Sequence, residues 1–160
     1  MNQPSVWTGQ TVAPGIGLGP AFLLRRERKA VPRLGITDVD HQLQRLDDAI
    51  ERAAKLLHVH RDRAAKRFGD VIARIFDTHL MILEDEPAFD EIREMIRSEK
   101  VAPRFAVYTI LEQYAKRFEG QDDTYFQDRA QDVRDVCRRL VNQLDGEADT
   151  VLSDIPDEPV

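Results

Sequence analysis

Residues 37–69 read TDVDHQLQRLDDAIERAAKLLHVHRDRAAKRFG, and their spacing decides the fold class. Val39, Leu43, Leu46, Ile50, Ala53 and Leu57 recur every fourth then third position, and Ala64 and Phe68 extend the stripe. That period puts them on one side of an α-helix. Thr37 begins a Ser/Thr-x-x-acid pattern with Asp40 and is the expected cap, and Gly69 is the expected stop. At 1.5 Å per residue this is a rod about 45 Å long. A rod with one apolar side needs other rods to cover it.

The following residues supply them. Asp70 is placed to cap a second helix with Val71, Ile72, Ile75, Phe76, His79, Leu80 and Leu83 on one broad inward face. Glu86-Pro87 reads as a stop and restart, because the residue before a proline avoids helical geometry and proline suits the first turn of a new helix. A short third helix uses Phe89, Ile92 and Ile96. A fourth opens at Pro103, carries Val107, Ile110, Leu111, Tyr114 and Phe118, and ends at Gly120. The last opens in Asp122-Asp123-Thr124, repeats Ala130, Val133, Cys137, Leu140 and Leu144, and stops at Gly146.

The expected architecture is mainly α, an antiparallel bundle of four to five helices. Residues 1–36 differ, holding five of the eight glycines; Val6–Val12 and Ala21–Leu24 read as a pair of short β-strands about a turn-rich segment. The expected divisions are a strand-turn-strand segment at 1–36, a helical unit at 37–146, and an acidic tail at 147–160 in which Val151-Leu152 alone suits a strand.

The chain has 160 residues, 42% of them apolar, enough for one core without staples. Its single cysteine, Cys137, permits no internal disulfide and no paired-cysteine zinc site. No segment has the length and apolarity of a membrane span, and the N-terminus lacks the layout of an export signal, so a cytoplasmic location is expected. A formal net charge of −6 argues against broad nucleic-acid binding. Gly15, Gly17 and Gly19 do not make a nucleotide loop: Pro20 follows where a third dinucleotide-loop glycine belongs, and no Lys-Ser/Thr succeeds it. Of the four histidines, His58 and His60 project about 200° apart and read as solvated. His79 is either a partly buried ring or a contact residue.

Charge is more informative. Between Asp70 and Glu94 lie eight acids against Arg74 and Arg93, a local balance of −6 that equals that of the whole chain. Met81 and Ile82 are interleaved with those acids, beside the inward stripe. An apolar spot rimmed by one sign of charge suits docking of a basic partner; the plain alternative is an ordinary solvated face.

Three stretches together carry a resemblance. Thr11-Val-Ala-Pro-Gly-Ile-Gly-Leu-Gly-Pro-Ala21, Ile75-Phe-Asp-Thr-His-Leu-Met-Ile-Leu-Glu-Asp-Glu86, and Asp122-Asp-Thr-Tyr-Phe-Gln-Asp-Arg-Ala-Gln-Asp-Val-Arg-Asp-Val136 resemble, in order, three parts of Enzyme I. That family is the phosphoenolpyruvate-protein phosphotransferases of bacterial sugar and nitrogen phosphorelays. The resemblance implies a helical subdomain inserted in a swivelling α/β phosphohistidine domain, the strands here being that domain's opening. It implies docking of HPr or its nitrogen-pathway counterpart. The family's active histidine follows the helices, and its phosphoenolpyruvate- and magnesium-binding barrel, which also dimerises, comes later still. This chain is accordingly expected to hold no catalytic residue, cofactor or metal, and to be monomeric and inactive alone. By position the resemblance implies partner contacts at Asp70, Arg74, Ile75, His79, Met81, Ile82, Glu84, Asp85, Arg129 and Asp132. Arg74 and Val71 stand where sugar-type members tend to carry a small residue and an acid, which suggests a rim tuned to another carrier. The alternative from another class is a self-associating helical adaptor joined through the stripes on Val39–Leu57 and Ala130–Leu144.

Overall fold

The computed structural model describes residues 31–146, which form five α-helices. These are α1 (Val39–Phe68), α2 (Asp70–Leu83), α3 (Glu86–Glu99), α4 (Pro103–Glu119) and α5 (Thr124–Asp145). The expected strands Val6–Val12, Ala21–Leu24 and Val151-Leu152 lie outside the described residues.

The start of α1 corrects the expected cap. Asp38, not Thr37, is the N-cap, and its carboxylate accepts from the His41 amide at 3.0 Å. At the far end Gly69 turns the chain at φ 85°, ψ 167°, a conformation open essentially to glycine alone, and its N–H bonds back to the Ala65 carbonyl. Gly69 also occupies the N-cap of α2, so Asp70 is the first helical residue and serves as an anion beside the helix's positive end. Asp85 caps α3, with Pro87 in its first turn. The tight turn at Gly69 folds α2 back along α1, and Arg61 Nε donates to Asp77 Oδ1 at 2.5 Å across the hairpin.

α4 and α5 form a second antiparallel pair, in which Arg134 reaches from α5 to Glu112 at 3.0 Å and to Glu119. α3 runs back along α4, tied by Tyr114 OH to Glu91 Oε1 at 2.9 Å. Ile36 and Leu34 are held by backbone bonds to Lys100 and Ala102, fastening the segment before α1 to the α3–α4 turn.

Leu46, Ala49, Ala53, Leu57, Phe89, Ile92, Ile96, Val107, Leu111, Ala130, Val136 and Leu140 meet in one core. Each large member buried this completely contributes roughly 1.5–3 kcal/mol. The stripes proposed to join two chains in an adaptor are therefore buried within one. Four expected core positions lie outside it. Phe68 is exposed at the end of α1, and Val71, Ile72 and Ile75 on α2 face outward. The reason is coverage: α1 buries Ala73, but α5 meets α2 around Thr78 and His79, about a turn beyond Ile75, leaving the outward side of the first half of α2 open.

Candidate docking surface

The outward side of α2 carries two interlaced rows. Val71, Ile75, Thr78 and Ile82 follow one another at helical spacing, and Arg74, Thr78 and Met81 form the neighbouring row. Val71 is 77% exposed, Ile75 55% and Met81 71%, whereas Ile82 is half-buried against the core. Ile72 and Phe68 continue the apolar surface towards the Gly69 turn. Exposed large hydrophobes are unremarkable singly; several on one helix make this side of α2 the candidate surface.

Acids frame this ridge, but fewer than the linear charge run suggests. Asp70 stands at the start of α2 and Glu84 at its end, both exposed. Asp77 pairs with Arg61. Asp85 is exposed yet partly engaged, since its carboxylate accepts from the Ala88 amide at 3.4 Å. Asp90, Glu91 and Glu94 line a separate shallow depression on α3 with Pro87, Met95 and Ile110. The acidic run is thus divided between two surfaces. Within the ridge Arg74 is exposed, with no side-chain hydrogen bond or ion pair among the described residues.

One flank of the ridge is built by α5. Arg129 Nη1 donates to Thr78 Oγ1 at 3.0 Å and lies 3.4 Å from Asp132 Oδ2. Nη2 donates to the Tyr125 hydroxyl at 3.1 Å, and the guanidinium lies 5.0 Å from that ring's centroid. The bond that Arg129 donates to the Tyr125 hydroxyl is the foremost reason that it is held even more firmly protonated than an ordinary arginine. Beneath this group sits His79, with Nε2 3.5 Å from Asp132 Oδ1. Burial pushes His79 below the usual histidine range, more than Asp132 and Asp135 pull it up; Arg139 adds to the lowering.

His79 is therefore not a surface contact: it is 7% exposed. Of the ten positions implied by the resemblance, the structure gathers Asp70, Arg74, Ile75, Met81, Glu84 and Asp85 along or at the ends of α2. It joins Arg129 and Asp132 to their flank, half-buries Ile82, and buries His79. Thr78, Tyr125, Val71 and Ile72 belong to the same surface and were not among the ten. The spacing of Val71 four residues before Ile75 is the signal that marks it; Tyr125 carries no local signal.

His60 also departs from expectation. It is half-buried, stacks on Phe76 at 6.2 Å between centroids, and is shifted below the usual range chiefly by burial. Burial likewise pushes the Cys137 thiol up to about 12, so it is no nucleophile. Among the described residues no group of three or more His, Cys, Asp or Glu side chains could hold a metal ion, and no helix is long and apolar enough to cross a membrane. What the surface offers is exposed apolar area with charged groups at its ends and along one flank.

The family profile described as PEP-utilising enzyme, N-terminal, matches residues 8–129. A phosphoenolpyruvate-protein phosphotransferase of Haemophilus influenzae is 36% identical over 155 residues, 96% of this chain and 27% of its own length. One from Enterococcus faecalis is 34% identical over 139 residues, 86% of this chain and 24% of its own. The chain thus spans about a quarter of the length of these relatives. Among solved structures, an Enzyme I protein studied by NMR in solution, nEIt, superposes with a TM-score of 0.70 at 30% identity, covering 75% of this chain and 49% of that one. The N-terminal domain of a nitrogen-type Enzyme I gives 0.67 at 28% identity, covering 72% and 48%.

Proposed function

This chain belongs to the family of PEP-utilising enzyme N-terminal domains, and we propose that it is the carrier-docking part of a phosphoenolpyruvate-protein phosphotransferase. Its partner on this reading is an HPr-type phosphocarrier, a small protein whose phosphorylatable histidine is surrounded by basic residues. The observation that carries the reading is the exposed apolar ridge Val71-Ile75-Met81 between Asp70 and Glu84. Apolar area gives affinity when covered, and the fringe of acids draws a basic partner and orients it.

The contribution to phosphoryl transfer is positional. A carrier held on α2 has its histidine kept near a donor phosphohistidine supplied elsewhere in the full-length enzyme, which makes transfer effectively intramolecular. Ile75, Met81 and Ile82 supply the apolar contact, Asp70, Glu84 and Asp85 the acidic rim, and Arg74, Arg129 and Asp132 the polar contacts. Arg74, a cation on the ridge with no ion-pair partner among the described residues, selects a carrier that presents an acceptor opposite it.

Calorimetric titration of the 160-residue chain with the HPr-type carriers of its own organism tests this. The expected result is a one-to-one complex with a Kd between micromolar and millimolar that weakens as salt rises. Absence of binding by every carrier would remove the reading. The adaptor alternative has no observation in its favour, since its stripes lie in the core.

A further inference from the structure

His79 is the one buried polar or charged side chain in the described core, and it touches the docking surface only through others. Its Nδ1 is buried and has no hydrogen-bond partner among the described residues. A neutral imidazole has a single N–H, so the proton belongs on Nε2, which faces the Asp132 carboxylate at 3.5 Å. The other oxygen of that carboxylate faces Arg129, and Arg129 reaches Thr78 on the ridge and Tyr125 beside it. Five groups from two helices thus form a continuous path from the core to the surface.

We propose that His79 is a positioning residue: through Nε2–H and Asp132 it fixes the Arg129 guanidinium beside Thr78, in the orientation that meets the docked carrier. The proposal rests on the docking reading above. Its physical basis is preorganisation. A free arginine at a surface samples many rotamers, and ordering it on contact weakens binding. Arg129 is ordered beforehand on three sides, by Thr78, Tyr125 and Asp132. Asp132 sits only three residues from Arg129 on the same helix, its side chain is partly open to solvent, and His79 is the group that holds it from the inner side. Without that N–H the carboxylate is free to turn to water, and the arginine loses its inner partner.

The test has an arm without carrier and an arm with it. His79→Leu fills the buried site without a donor, and His79→Gln keeps an N–H directed at Asp132. In nitrogen-15 spectra of the full chain alone, the Arg129 guanidinium should show slowed, resolved Nη signals in the wild type and in His79→Gln, and averaged signals in His79→Leu. Carrier affinity should fall about five- to tenfold in His79→Leu, stay near wild type in His79→Gln, and fall no further when Arg129→Gln is added to His79→Leu. Should His79→Leu not fold, Asp132→Ala interrupts the same path from the exposed side and should average the Arg129 signals alike. Unchanged Arg129 signals in both His79→Leu and Asp132→Ala overturn the proposal, as does His79→Gln behaving like His79→Leu. Failure of every carrier to bind would sink the docking reading instead, and the carrier-free spectra would still decide whether His79 positions Arg129.

Discussion

Replacing Ile75 and Met81 by alanine separates binding from folding. Ile75 is 55% exposed and Met81 71% exposed in the free chain, so most of their apolar area is still available to be covered by a partner. Full burial of such a side chain is worth roughly 1.5–3 kcal/mol, and about half to two-thirds of that remains for the complex to gain. Alanine keeps part of it, which leaves about 1 kcal/mol lost per substitution, or about fivefold in Kd. The two positions are six residues apart on α2, about 9 Å along the axis, so the losses should nearly add, to roughly 25-fold in the double variant. Folding should be untouched, because neither side chain belongs to the core and alanine is the better helix former. The assay is paired: calorimetric Kd for an HPr-type carrier, and thermal melting of the chain alone. A double variant that binds as tightly as wild type refutes the reasoning. So does one whose melting temperature drops by many degrees, since the ridge would then be structural.

Other outcomes follow from single groups. Glu84→Lys places a cation at the C-terminal end of α2, where the helix dipole favours it, so stability should hold while the carrier's association rate falls severalfold and its salt dependence flattens; stopped-flow mixing reads both. His79 and His60 are both held below the ordinary histidine value of 6.5 by burial. Above pH 6.5 they are neutral folded or unfolded; as pH falls below it the unfolded chain binds protons that the folded chain refuses, so stability should decline towards pH 5. Denaturation midpoints measured from pH 7 to 5 should show that decline, and His79→Leu should make it shallower. Cys137, with its thiol pushed up to about 12, should resist alkylation at pH 8 in the folded chain and react once denaturant unfolds it.

Most of the bundle was legible because its boundaries are written locally. Gly69, Pro87, Pro103 and Gly146 each end or restart a helix for reasons of backbone geometry, and the stripes in α1, α3, α4 and α5 face the core where their period places them, Phe68 at the end of α1 excepted. The cap of α1 is one residue later than the Thr37 pattern suggests, because the Asp38 carboxylate takes the His41 amide and helical geometry begins at Val39. The inward face of α2 was overdrawn for a different reason. Hydrophobicity tells which residues would be stable inside, not whether another helix arrives to cover them, and α5 covers only the part near Thr78 and His79. The side of α2 that neither α1 nor α5 covers, from Val71 to Met81, is the candidate surface. His79 could not be assigned from its own helix, since its partner Asp132 lies on α5. The same holds for His60, whose contact with Phe76 exists only once the α1–α2 hairpin has closed.

On the proposed function, the outer ridge of α2 with its Arg129 flank is where a phosphocarrier sits. Amide shift mapping of the isotope-labelled chain during titration with an HPr-type carrier measures this most directly. Perturbations concentrated on Val71–Glu84 and around Tyr125–Asp132, with the α3 depression at Asp90–Glu94 unaffected, are the expected result. Perturbations centred on that depression, or on none of α2, would contradict it.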